Sequence, residues 1–166
     1  PFDNIVARLH LAQKKWDRSD EKHDLLEQFN ATREGFQAWC SFMDSGSVKQ
    51  EEKSHFLDAE LWEMARQIPC HGEIIRYTWW HNNAVELTRQ RNIPVHNLYY
   101  EDYSDNWQKT VDQLFEFLQL APAPGAAPLE FITGKHYEDY FDPKHIAMAR
   151  KLVHTLASPE AWLLLK

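Results

Sequence analysis

Between Ile93 and Leu120 the apolar residues stop recurring in one way and start recurring in another, and that switch constrains the fold more than any other feature of the sequence. Asn92-Ile93-Pro94 interrupts a long helical pattern, because proline lacks an N–H and pushes the residue before it out of the α region. Val95 to Tyr100 then alternates weakly and is rich in β-formers, which predicts a strand. Glu101 to Ser104 predicts a turn. Ser104 or Asp105 predicts a cap for a helix with Trp107, Val111, Leu114, Phe115 and Leu118 as its core positions. A buried strand feeding a capped helix points to an α/β domain rather than a plain helical bundle. A lone strand leaves its own backbone hydrogen bonds unmade. Its partners are expected either in strands not evident from the pattern or in sequence outside this chain.

The rest of the chain reads as helix. Asp3 predicts an N-cap, with Ile5, Val6, Leu9, Ala12 and Trp16 on one face at helical spacing. Asp17 to Lys22 is a charged break. Arg33 to Met43 carries Phe36, Trp39, Cys40 and Met43. Asp44 to Lys53, rich in Ser, Gly, Lys and Glu, predicts an exposed loop. Phe56 to Ile68 is a further helical stretch ended by Pro69, and a long helix is expected from Gly72 to Arg91. On its face His81 reads as a satisfied core histidine. Ala121 to Pro128 predicts an extended loop, and Phe131 to Phe141 is irregular and aromatic. Asp142-Pro143 and Ser158-Pro159-Glu160 each open a helix with a cap followed by proline at its first position.

With 166 residues the chain is long enough for a core of its own. Aromatics make up 13% with 7 Trp, which predicts a ring-filled core ahead of a ring-lined cleft. The formal net charge of -7 argues against a general nucleic-acid binder, which needs a basic face to release counterions. An anionic small ligand stays possible, since a few cations can converge locally. No apolar run reaches the roughly 20 residues of a membrane span, so no membrane contact is expected from this segment. A chain that opens at Pro1 inside helix-entry sequence reads as an excised piece of a longer protein. Cys40 and Cys70 show no metal-ligand spacing. Two buried thiols is the favoured reading, with a disulfide left open for an oxidising compartment.

Most chemical motifs are absent. The 9 histidines form no H-E-x-x-H and no ligand cluster, so no metal is expected. With 5 glycines in all, no glycine-rich phosphate loop is present. No G-x-S-x-G occurs either.

Two segments together resemble the PAPS-dependent sulfotransferase superfamily, PAPS being 3'-phosphoadenosine 5'-phosphosulfate. Pro1-Phe2-Asp3-Asn4-Ile5-Val6-Ala7-Arg8 is similar to the family's R-N-P-x-D-x-x-x-S segment, entered at its proline. Ile93 to Leu120 is similar to its V-x-x-L-x-Y-E-D strand and turn and the L-x-x-[IL]-x-x-F-L helix behind them. The long helix with Tyr77, Trp79, Trp80 and His81 also resembles the helix before that strand. The resemblance implies an α/β, P-loop-NTPase-like sulfotransferase fold, with this chain its mostly helical C-terminal half carrying few parallel strands. Residues 1–166 would form a single partial domain lacking the phosphosulfate-loop half.

The implied activity is sulfuryl transfer from PAPS to a hydroxyl or amine, on a small-molecule or carbohydrate acceptor, with the chain inactive alone and the catalytic residues unknown. Tyr100 would lie near the adenine side of the cofactor. Ala7 replaces the family's phosphate-binding Ser, which leaves Arg8 as the expected stand-in. Gly134 and Lys135 stand where the family carries a late loop that wraps the 3'-phosphate: glycine allows close backbone approach and lysine supplies charge. The compartment implied is the Golgi lumen, often through a membrane anchor, or the cytoplasm. Two rival readings stand beside it: a nucleotide kinase-like P-loop enzyme and a non-catalytic helical interaction domain.

Overall fold

The computed structural model describes residues 2–16, 29–30, 32–51, 57–123, 125 and 138–165. Among them every regular element is a helix: α1 (Phe2–Trp16), α2 (Arg33–Glu51), α3 (Ala59–Ala65), α4 (His71–Arg91), α5 (Tyr100–Asp105), α6 (Trp107–Leu118), a 3-10 turn at Glu138–Tyr140, α7 (Pro143–Leu156) and α8 (Pro159–Leu165). The chain divides into two compact units, residues 1–87 with 136–166 and residues 88–135.

The α/β expectation is therefore overturned, because the described residues contain no strand and no sheet. From Ile93 to Tyr99 the chain runs without a turn or bend, and Tyr99 itself is extended at φ -96, ψ 136. A strand is defined by its ladder, and here the ladder is missing. The Y-E-D turn is corrected too, since Tyr100 to Asp105 is helical. The next helix begins after Asn106, which caps it through no side-chain bond, and not after Ser104 or Asp105.

The exposed loop expected at Asp44 to Lys53 lies, through Glu51, inside α2. Ser41 and Ser45 donate their hydroxyls back to the carbonyls of Gln37 and Phe42, and a Cβ at Gly46 would meet nothing. Composition suggested a loop, but small polar residues on a solvent-facing helix cost only modest propensity. At the other end of α2, Thr32 Oγ1 accepts from the Gly35 N–H at 3.1 Å. Gly35 is needed there, because a Cβ would run into the Asn30 backbone. Asp3 sits within the first turn of α1 rather than before it. The cap missed by the sequence reading is Asp58, whose carboxylate accepts from the Leu61 N–H at 2.8 Å and starts α3.

The larger unit holds the core. Ile5, Val6 and Leu9 of α1 pack with Phe36, Trp39 and Cys40 of α2, Ile74 of α4, and Ala149 and Leu152 of α7. Phe36 is fully buried, with Tyr140 at 5.6 Å and Phe141 at 5.1 Å, both edge-on. Edge-to-face geometry suits the ring quadrupoles. Asn82 of α4 fastens the corner between the last two helices: its Nδ2 donates to Leu156 O and its Oδ1 accepts from Ser158 N, both at 2.8 Å. Both proline-led openings occur as expected, with Ser158 Oγ accepting from the Ala161 N–H at 3.1 Å.

The smaller unit is built from caps. Asn92, in the left-handed region at φ 50, ends α4, and the Ile93 N–H reaches back to Thr88 O. Gln119 at φ 54 repeats the device after α6, with the Leu120 N–H on Phe115 O. Both are the six-to-one closure of a helix C-terminus. The core expected along α6 is only half-buried, and Leu118 is exposed.

Candidate functional site

The site grows from a disulfide. Cys40 and Cys70 are bonded, with their Cα atoms 4.5 Å apart, which corrects the expectation of two free thiols. Neither residue sits in a spacing that would have announced it: Cys40 is mid-helix and Cys70 ends the link between α3 and α4. The bond sets Cys70, in the left-handed region at φ 57, against α2 immediately before α4 begins.

One helical turn beyond Cys40, Asp44 therefore faces the start of α4. Its Oδ1 accepts from the Gly72 N–H at 3.2 Å, and its Oδ2 lies 3.1 Å from His71 Nδ1. The imidazole is within ion-pair reach of the carboxylate but off the line of a good hydrogen bond. A carboxylate at a helix N-terminus satisfies an orphan N–H and complements the dipole. Asp44 thus caps α4 from another helix while it orients a 5% exposed histidine.

These groups border a cleft of about 320 Å³, lined by Gln37, Ser41 and Asp44 of α2, Arg66 to Pro69, His71, and His145 of α7. Burial, then the charges of Lys144 and Arg33, hold the His145 imidazole below the usual histidine value. Its Nδ1 is enclosed and 3.6 Å from Asp142 Oδ2, too far for a hydrogen bond, because Asp142 pairs with Arg33. The Arg66 guanidinium lies 5.8 Å over the Trp62 ring. The lining offers donors and acceptors in mixture, suited to a small polar molecule. Among the described residues no three His, Cys, Asp or Glu side chains converge as a metal site.

The residues expected from the sequence fall elsewhere. Arg8 of α1 pairs with Glu73 of α4, whose other oxygen lies 3.2 Å from Arg76. Glu73 is 8% exposed, so Arg8 neutralises a buried carboxylate. Tyr100 opens α5 in the smaller unit with 56% of its surface exposed. Gly134 and Lys135 lie outside the described residues. His81, expected as a satisfied core histidine, has its Nδ1 2.8 Å from Tyr77 O but is half-buried and lies outside the core. Sequence reasoning missed Asp44, His71, Glu73 and His145. The one available signal was the density of reactive types in Cys70-His71-Gly72-Glu73, directly after a proline at a helix start. No family model, no curated protein and no solved structure matches this chain.

Proposed function

We propose that this chain serves a sulfotransferase, in which a sulfuryl group passes from PAPS to a hydroxyl or amine acceptor, and that the chain by itself is inactive. The observation that carries the reading is Tyr100. Its ring is more than half exposed at the end of an unbent run, followed at once by Glu101, Asp102 and a helix. An aromatic that exposed is not used for a core and presents a ring on which an adenine can stack. The order of the Pro1–Arg8 helix entry, the Trp79-Trp80-His81 helix and the Y-E-D segment adds support from sequence.

The chemistry needs the acceptor oxygen or nitrogen in line with sulfur, a base for its proton, and cations on the departing phosphate. Among the described residues Arg8 is engaged with Glu73, so it is not a ready phosphate ligand. The test is titration of the 166-residue chain with PAP (3'-phosphoadenosine 5'-phosphate), the desulfated product, by calorimetry. Binding is expected, with Tyr100→Ala weakening it by about 1–3 kcal/mol, the range for one base on one ring, and Tyr100→Phe preserving it. No heat at millimolar PAP, or equal affinity in Tyr100→Ala, rejects the reading.

A second reading, a non-catalytic helical interaction domain, is favoured by the all-helical character of the described residues. It expects no thermal protection by PAP or PAPS.

A further inference from the structure

The run from Ile93 to Tyr99 has an unusual hydrogen-bond account. Its first N–H, on Ile93, donates to Thr88 O at 3.0 Å, and its last carbonyl, on Tyr99, accepts from the Asp102 N–H at 3.1 Å. Between these two, the N–H groups of Val95, His96, Asn97, Leu98 and Tyr99 have no hydrogen-bond partner among the described residues. In a β-strand the N–H and C=O of one residue point to the same side, and successive residues alternate sides. Paired as a strand, the run would carry the groups of Ile93, Val95, Asn97 and Tyr99 on one edge and those of Pro94, His96 and Leu98 on the other. Proline blunts the second edge by removing a donor. The first edge is intact.

That edge is complementary to itself. In an antiparallel pair, opposed residues exchange both their N–H and C=O groups. With a two-fold axis at His96, Val95 lies opposite Asn97 of the other copy and Ile93 lies opposite Tyr99. The N–H groups of Val95, Asn97 and Tyr99 then meet the carbonyls of Asn97, Val95 and Ile93 of the other copy. The groups this register would leave over at the ladder ends, the Ile93 N–H and the Tyr99 C=O, are those already bonded within the chain. The side chains at the ladder ends agree: Ile93 and Tyr99 are 49% and 41% exposed, and a β-branched residue opposite an aromatic stabilises a pair.

Charge selects the partner and its direction. Arg91 precedes the run and Glu101 follows it, and neither has an ion pair among the described residues. Antiparallel copies bring Arg91 of one toward Glu101 of the other at both ends, whereas parallel copies would bring like charges together.

We propose that Ile93–Tyr99 is the docking edge for a second copy of this chain, paired antiparallel about a two-fold axis at His96. The blunted opposite edge stops the assembly at a dimer. This stands independently of the sulfuryl-transfer reading, and PAP binding does not bear on it.

Sedimentation velocity of the whole chain, from roughly 10 µM to about 1 mM because a short ladder barely exceeds the cost of association, should show the mass rise from 19.7 kDa toward twice that value. Asn97→Pro removes a donor from the pairing edge in both copies and should weaken the dimer roughly thirtyfold, which corresponds to about 2 kcal/mol. Leu98→Pro constrains the chain equally but acts on the other edge, and should leave the dimer in place. Circular dichroism of both variants checks that the helices persist. Arg91→Glu should weaken the dimer, and adding Glu101→Arg should restore it. A monomer throughout the range overturns the proposal, as does a dimer indifferent to Asn97→Pro or equally sensitive to Leu98→Pro. Failure of the charge swap to restore the dimer overturns the antiparallel register.

Discussion

Reducing the Cys40–Cys70 disulfide should cost the larger unit as much stability as losing a large core side chain such as Phe36. The bond closes a segment of 30 residues. On the chain-entropy model, a loop of that length removes about 12 cal/mol/K from the unfolded ensemble, or about 3.6 kcal/mol at 25 °C. Unfolding entropy is about 2.1 cal/mol/K per residue. Spread over the chain's 166 residues, the loss lowers the melting temperature by about 10 °C, and by more if the larger unit melts alone. The assay is a thermal melt followed by far-UV circular dichroism, with and without a dithiol reductant, alongside a thiol count to confirm reduction. A Cys40→Ala/Cys70→Ala variant should melt with the reduced protein and ignore the reductant. The backbone supplies a second, independent check. Cys70 holds φ 57, a conformation that disfavours a Cβ by roughly 1 kcal/mol. In a Cys40→Ala background, Cys70→Gly should therefore melt higher than Cys70→Ala, the reverse of the usual order of these residues next to a helix. Oxidised and reduced chains that melt within about 2 °C of one another would refute the loop-closure reasoning. Cys70→Ala melting above Cys70→Gly would refute the backbone argument.

Other side chains give sharper local tests. The His145 imidazole should titrate below 6.5 in the folded chain, since burial, Lys144 and Arg33 all disfavour its proton. The unfolded chain then binds that proton more readily, so stability tied to His145 is present above pH 6.5 and is lost as pH falls from 6.5 to the folded value. Two-dimensional NMR of the ring protons reads the midpoint, His145→Gln should flatten the pH dependence of urea unfolding there, and a midpoint at or above 6.5 refutes the assignment. Asn82→Ala strips partners from both Leu156 O and Ser158 N and should cost about 1–3 kcal/mol in urea unfolding; a loss under about 0.5 kcal/mol would mean that the corner is held by packing alone. Gln119→Gly relieves a left-handed residue at the end of α6 and should stabilise that helix by about 0.4–1 kcal/mol, read as slower amide exchange in residues 107–118; faster exchange contradicts the cap.

How far the sequence could be read follows from where its signals are local. Helix starts at Pro143 and Pro159 were legible because a cap residue and a proline act through their own backbone. The break at Asn92 was legible for the same reason, and it proved to be a left-handed helix cap. Asp44 to Lys53 was misread because serine, glycine and charge favour loops only on average, and α2 continues through them as far as Glu51, with Ser45 and Gly46 exposed. Val95 to Tyr100 was misread for a deeper reason. Alternation reports that a segment tolerates extension, whereas a strand exists only as a relation to a second segment. The site fared worse, because each of its parts depends on distant pairing. Asp44 meets Gly72 and His71 from another helix, 28 positions from Gly72 and one helical turn from the Cys40–Cys70 bond. Arg8 looked like a phosphate ligand because nothing in its neighbourhood reveals Glu73, which lies 65 positions away.

The two units also differ in what holds them, and that difference bears on function. In residues 1–87 with 136–166, a disulfide, a ring cluster and cross-helix caps bury Val6, Leu9, Phe36, Ile74 and Leu152 almost completely. In residues 88–135 the only buried side chain among the described residues is Thr110, whose hydroxyl donates to Asp102 O at 3.0 Å. Its apolar residues are present but uncovered: Ile93, Val95, Leu98, Tyr99 and Leu120 each expose at least 40% of their surface. Burial of apolar area is the main stabilising term in folding, so helix caps and one threonine leave this unit near the low end of stability. A segment with unmade backbone bonds and uncovered apolar groups gains on both counts from a partner, whereas the larger unit, with Trp79 and Trp80 more than half exposed, offers uncovered apolar groups around a core that is already filled. A second copy that pairs along Ile93–Tyr99 should therefore raise the opening free energies measured by amide exchange first in residues 88–135.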